Sequence, residues 1–168
     1  VVTSVRAAMR KTLPFDAMAA FSRIYSFGDE VPNEEVREHL TRCGFTEVDI
    51  VEDPGSFAIR GDIIDLFSPL YARPIRIERW GDEISELRAF DPETQRTADD
   101  AIEECAVFPV REEILDEAAV RRAREKLLKL SGERSIPTRT IQDIVNDLEA
   151  GLHFVGIDAV LPALYNEL

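Results

Sequence analysis

Positive charge is the first shortage in this 168-residue chain: 20 lysines and arginines face 33 aspartates and glutamates, for a formal net charge of −13. Binding nucleic acid by neutralising phosphates needs the opposite balance, so nonspecific DNA binding by this stretch is disfavoured. Cysteine is scarce too. Cys43 and Cys105 stand far apart in apolar patterns, without the paired spacing of a zinc site or redox motif, and read as buried thiols of a reducing compartment. The two histidines, His39 and His153, lie outside any metal-ligand spacing and read as structural or solvated. No glycine-rich turn is followed by Lys-Ser or Lys-Thr at a helix start, which excludes a phosphate-cradling loop and ATP binding within this stretch. No apolar run approaches the length of a membrane span, and neither an initiator Met nor a signal-peptide pattern opens the chain. The expectation is a soluble cytoplasmic piece of a longer protein, with no membrane partner.

What is present is enough apolar material for a core, 45% of residues, on the scale of one compact domain or one plus an appendage. Val1-Val2-Thr3 reads as the tail of a strand and Ser4 as the N-cap of a short helix that Pro14 ends. A turn follows at Phe27-Gly28-Asp29, where the first boundary is placed. Pro32-Asn33 opens a helix with Glu34 and Glu35 at its positive end; Val36, Leu40 and Cys43 share one face, and Gly44 stops it.

From Phe45 to Phe108 the apolar period changes to two, the mark of a sheet. Phe45, Val48 and Ile50 alternate before Pro54-Gly55. A long run then carries Phe57, Ile59, Ile63, Ile64, Leu66 and Phe67 past a bulge at Gly61-Asp62. Ile75 and Ile77 lead into a hairpin turn at Gly81-Asp82 and the run Glu83 to Phe90; after Asp91-Pro92, the stretch Ala101 to Pro109 supplies the last strand. Beyond Val110 two helices are predicted. The first has a stripe of Val120, Ala123, Leu127 and Leu130 and ends at Gly132. The second opens at Pro137 and Thr140 with Asp143 placed for a capping box, carries Ile141, Ile144, Val145 and Leu148 on one face, and ends at Gly151. The tail Phe154 to Leu168 is too apolar to be free and is expected to dock.

Adjacent carboxylate pairs such as Glu34-Glu35, Glu103-Glu104 and Glu112-Glu113 diverge on any regular element and read as solvated faces. The informative stretch is Ile75-Arg76-Ile77-Glu78-Arg79-Trp80. With Ile75 and Ile77 inward, alternation puts Arg76, Glu78 and Trp80, the only tryptophan, together on the other face. The same argument on Phe57-Ala58-Ile59-Arg60 adds Arg60. Arg and Trp are the residues most enriched among dominant interface contacts, so Arg60, Arg76 and Trp80 form a candidate patch. The alternative is that Trp80 covers a core edge and the arginines pair with carboxylates, Glu78 among them. Asp65, inside the same apolar run, reads as a strand-end or turn-bonding aspartate; an enzyme reading would use Asp65 and Glu78 as its acids.

The runs Phe57-Ala58-Ile59-Arg60-Gly61-Asp62-Ile63-Ile64-Asp65-Leu66-Phe67 and Pro74-Ile75-Arg76-Ile77-Glu78-Arg79-Trp80-Gly81-Asp82-Glu83-Ile84 resemble the UvrB-homology region of the bacterial transcription-repair coupling factor (Mfd) family. Val1 to Ala7, Phe90 to Arg96, and Gly156-Ile157-Asp158 through Leu161-Pro162 to Tyr165 extend the resemblance over nearly the whole chain. It implies a recruiting module that binds UvrA, within a longer protein whose motor domains use ATP and Mg and reach RNA polymerase and DNA. The family's contacts carry over to Arg60, Arg76 and Trp80, and Glu78 is carried over from UvrB. The resemblance also implies that a C-terminal domain of the parent can mask this surface.

Two departures stand out. The family's aromatic pair at the strand end is Arg79-Trp80 here, and the Arg that UvrB commonly has two positions before the Arg-Gly pair is Ala58, which favours the coupling factors over UvrB. The nucleotide-binding loop and DNA-gripping hairpin of intact UvrB are missing. The expectation is therefore an α+β fold: a twisted, largely antiparallel sheet with a packed helix, followed by a helical C-terminal segment. It divides into a lead-in from a preceding UvrB-like lobe (1–25), a UvrA-binding module like domain 2 of UvrB (26–111), and a helical part (112–168). The other readings are a structural spacer between motor and repair lobes, or the UvrA-binding domain of a UvrB protein.

Overall fold

A computed structural model describes residues 12–134 and 136–165. The opening strand tail, the Ser4-capped helix and the last three residues of the tail lie outside the described residues. The chain divides into two compact units, one spanning Met18–Arg111 and the other combining residues up to Ala17 with those from Glu112.

The first unit is built on a six-stranded sheet: β2 (Thr46–Glu47), β3 (Ser56–Arg60), β4 (Ile63–Leu66), β5 (Ile75–Trp80), β6 (Glu83–Phe90) and β7 (Thr97–Ala101), in that spatial order. All neighbours are antiparallel except β2 and β3. The run from Phe57 to Phe67 is a tight hairpin, not one strand with a bulge, because Arg60 pairs with Ile63 across the two residues Gly61-Asp62. Gly81-Asp82 does the same between Trp80 and Glu83. Both glycines take positive φ, 60° and 64°, as two-residue hairpin loops require. Strand β7 was not predicted: Thr97-Ala98-Asp99-Asp100-Ala101 offers no apolar alternation, and its backbone pairing with β6 makes it a strand. The strand expected over Ala101 to Pro109 is shorter, β8 (Glu104–Val107). It leaves the main sheet to pair with β1 (Arg23–Ser26), which the sequence had left in the lead-in.

Register puts Phe57, Ile64, Leu66, Ile75, Ile77, Ile84 and Leu87 on one face, all at most 1% exposed. Helix α2 (Asn33–Arg42) supplies Val36 and Leu40 to the same core, and the β1–β8 ribbon supplies Tyr25, Cys105 and Val107. It is preceded by helix α1 (Phe15–Phe21). The end of α2 shows why Gly44 sits there. The Phe45 amide donates to the Leu40 carbonyl (3.0 Å) and the Gly44 amide to that of Thr41 (2.9 Å), a closure that needs the φ of +87°. Burial raises both thiols, Cys43 to about 11 and Cys105 to about 12, so each is protonated at neutral pH.

His39 ties α2 to the segments before it. Its Nε2 lies 2.8 Å from the Phe21 carbonyl and its Nδ1 2.7 Å from the Tyr25 hydroxyl, so the neutral ring donates to the first and accepts from the second. Burial holds its pKa below the ordinary imidazole value. The unfolded chain therefore binds this proton first. The stability that neutral His39 contributes is complete above about pH 6.5 and is lost as pH falls from there through the lower folded value, at up to about 1.4 kcal/mol per pH unit. Urea midpoints taken between pH 7.5 and 5 should fall more steeply for the parent chain than for His39→Gln; parallel profiles would contradict the assignment.

The second unit is helical. Helix α3 (Glu117–Arg134) runs through Gly132, where the sequence had ended it. Its buried stripe is Ala119, Ala123, Leu127 and Ser131, one residue away from the predicted one at both ends, and Leu130 is 39% exposed. Helix α4 (Thr138–Glu149) buries Ile141, Val145 and Leu148 as expected, but Pro137 precedes it with no side-chain cap, so the capping box is not formed. The tail docks on these helices: a 3₁₀ turn (Ile157–Val160) and α5 (Leu161–Leu164) bury Ile157, Val160, Leu161 and Leu164. The Tyr165 hydroxyl donates to the Glu112 carbonyl (2.7 Å) and accepts from the Ile114 amide (3.1 Å). No helix among the described residues is long and apolar enough to cross a membrane.

Candidate protein-binding site

The second face of the six-stranded sheet carries the candidate residues. Cross-strand register sets Ala58, Asp65, Arg76 and Arg88 in one row across β3 to β6, and Arg60, Ile63, Glu78 and Glu86 in the next. Arg60, Arg76 and Glu78 thus share a face. Trp80 follows them on it at the end of β5, because the irregularity near Glu78 leaves Ser85 of β6 without a partner and β5 keeps its alternation.

Part of this face is roofed. Val51, Ala58, Phe67 and Phe90 make a small second core, with Val48 packed against it. Ala58 is buried there, and a long side chain at this position would displace that packing. Asp65 lies in the same row, fully buried. Its Oδ1 accepts from Arg76 Nε (2.7 Å) and its Oδ2 from Arg76 Nη2 (2.9 Å), a planar fork on the carboxylate, and Arg60 Nη2 donates to Oδ2 as well. Arg76 Nη1 reaches the Gln95 carbonyl (3.3 Å), and its guanidinium lies 4.8 Å from the centre of the Phe90 ring. The hydrogen bond to Asp65 raises the Arg76 pKa above the ordinary arginine value.

Asp65 is therefore not a strand-end or turn-bonding residue but the buried counter-ion of two arginines in mid-strand. With its oxygens committed and no solvent access, it is not available as a general acid or base beside Glu78. The arginines do pair with a carboxylate, Asp65 rather than Glu78. Their exposure differs: the side chain of Arg60 is 47% exposed and that of Arg76 only 15%. The Glu78 carboxylate takes no hydrogen bond or ion pair among the described residues, and faces Glu86 across the strands.

Trp80 does not cover a core edge; it is 86% exposed. It stands over a shallow groove lined by Glu30, Pro32, Glu35, Asp82 and Glu83. Of these carboxylates, Glu35 pairs with Arg23 at 2.5 Å and Asp82 lies 3.8 Å from the Arg79 guanidinium. An indole 86% exposed at the end of a strand leaves a large apolar surface in water.

The sequence reading missed Arg79. Its guanidinium is buried on the core side of β5, donating to the carbonyls of Val31 (2.7 Å) and Gly61 (2.9 Å) and to Asn33 Oδ1 (2.5 Å). Asp82 lies 3.8 Å away, and Nε has no hydrogen-bond partner among the described residues. The signal was present, since alternation with Ile75 and Ile77 puts position 79 inward. One side chain thereby links the turn after Arg60, the start of α2 and the strand end that bears Trp80.

Residues 23–112 match the family described as the UvrB interaction domain. The chain belongs to this family. It is also similar to proteins named transcription-repair-coupling factor: 36% identical over 167 residues to that of Myxococcus xanthus and 35% over 168 residues to that of Mycobacterium tuberculosis, in each case 99% of this chain. The factor of Staphylococcus aureus is 35% identical over 122 residues, 73% of this chain. The chain spans 14% of the length of the first two relatives and 10% of the third. The family match covers every strand of the sheet and all four candidate residues, Arg60, Arg76, Glu78 and Trp80.

Proposed function

We propose that this chain is the protein-recognition module of a transcription-repair coupling factor, that its partner is UvrA, and that it carries no catalysis of its own. The observation that carries the reading is Trp80: an indole 86% exposed at the end of the strand that bears Arg76 and Glu78, within an interaction-domain family. Such a cluster suits a partner surface, because Trp and Arg each combine apolar area with directional donors. The buried, doubly paired Asp65 weighs against an acid-base site. In the longer protein, the module brings UvrA of nucleotide excision repair to lesion-stalled RNA polymerase, and domains outside this chain supply the ATP- and Mg-dependent motor and the contacts with polymerase and DNA. A C-terminal domain of the parent covers the same face when the protein is idle. The setting is the bacterial cytoplasm.

Arg60 tests the reading with little risk to the fold, since half its side chain is in water. Titrating UvrA with Arg60→Ala should give an affinity about tenfold weaker than for the parent chain, about 1.4 kcal/mol, in line with an interface arginine. Equal affinity would remove Arg60 from the surface. A folded parent chain that ignores UvrA would favour a structural spacer.

A further inference from the structure

We propose that Asp65 is a positioning residue of the recognition surface: its buried carboxylate fixes the guanidinium of Arg60 in the orientation that the partner meets, while Arg76 holds that carboxylate from the neighbouring strand. The proposal rests on the reading that this face binds UvrA. Asp65 cannot touch a partner, being fully buried. It faces Arg76 directly across β4 and β5, and Arg60 lies two residues along β3 from its other neighbour, Ala58, within diagonal reach on the same face.

The two arginines use the carboxylate differently. Arg76 gives it both Nε and Nη2, spends Nη1 on the Gln95 carbonyl and lies over Phe90, so its hydrogen-bonding edges are engaged within the unit. Arg60 gives it Nη2 alone; Nε and Nη1 make no hydrogen bond among the described residues and half the side chain is in water. A free surface arginine loses much rotamer freedom when a partner orders it, and one already held at its tip loses less. The tether is strong because its anionic end is out of water, where screening by solvent is weak. Asp65 thus turns a flexible cation into a preset donor, and the outward nitrogens of Arg60 suit a carboxylate or carbonyl on the partner.

A double-mutant cycle read by UvrA titration tests this with the whole chain. Asp65→Asn keeps the shape and removes the charge; it should weaken UvrA binding roughly tenfold in the parent background and less than about twofold in an Arg60→Ala background. Equal losses in both backgrounds, or no loss in the first, would overturn the proposal. Nitrogen-15 NMR of the parent chain gives an independent reading that needs neither UvrA nor the variant's folding. The Arg60 guanidinium should show slow, hindered rotation, and free rotation would overturn the tether. If the parent chain does not bind UvrA, the recognition reading falls and the proposed role with it, while the NMR result still says whether Asp65 holds Arg60.

Discussion

Replacing Arg79 with alanine is expected to cost roughly 3–5 kcal/mol of stability, a large share of the about 5–15 kcal/mol that holds a domain folded. The guanidinium satisfies the Val31 and Gly61 carbonyls and Asn33 Oδ1, in a place where its side chain is 1% exposed. The Val31 carbonyl is on a fully buried residue and costs about 1–3 kcal/mol when left without a partner, whereas Gly61 is exposed and its carbonyl can turn to water. Relief from burying a charge offsets part of this, since the carboxylate that pairs with it, on Asp82, is 3.8 Å away. The losses win because a packed side chain goes with the donors, and because two separated segments, around positions 31–33 and at 61, lose their shared side-chain link to β5. Arg79→Lys keeps one donor group and should lose about half as much. Urea unfolding followed by far-ultraviolet circular dichroism measures both; a loss under about 1 kcal/mol for Arg79→Ala would contradict the role given to this side chain.

Asp65→Ala should be as damaging, about 3–5 kcal/mol, for a different reason. It leaves Arg76, with a side chain 15% exposed, as a buried cation whose fork has lost both acceptor oxygens. The loss should therefore be recovered in large part by removing the orphaned charge as well. The pair Asp65→Ala with Arg76→Met, which keeps an unbranched side chain over Phe90, is expected to be within about 1–2 kcal/mol of the parent. Additive losses in the double variant would mean that Arg76 is not held by Asp65. Arg76→Ala, an obvious choice for testing partner binding, carries the same liability in reverse, because it leaves the Asp65 carboxylate buried with Arg60 alone. A binding loss measured on it mixes surface with stability.

Periodicity carried the sheet and the candidate face a long way. Ile75, Ile77 and their neighbours alternate strictly, and alternation of period two is sufficient to put Arg60, Arg76, Glu78 and Trp80 on the face away from the main core. It could not say how much of that face is covered. The small core of Val51, Ala58, Phe67 and Phe90 comes from a connection folding back over the sheet, and periodicity within one strand has no information about that. Asp65 was misread for the same reason: its two partners come from other strands, and only cross-strand register brings Arg60 and Arg76 to one carboxylate. Gly61-Asp62 was legible in principle, since the identical pair at Gly81-Asp82 was read as a hairpin turn, but the continuous apolar run on either side masked it. Strand β7 was not legible, because its polar residues are held by backbone pairing alone. In the helical unit, the one-residue offset of the α3 stripe arises because small residues, Ala119, Ala123 and Ser131, face α4 and the tail, whereas a hydrophobicity pattern favours the larger Val120 and Leu130.

Trp80 is the central proposed contact for UvrA, and calorimetric titration of UvrA with the parent chain and with Trp80→Ala tests it most directly. Because the indole is 86% exposed, the variant should melt within a degree or two of the parent, roughly the shift of an exposed substitution. Its affinity should fall by about 30-fold, the roughly 2 kcal/mol of a dominant interface aromatic. Equal binding by the two proteins would contradict the account.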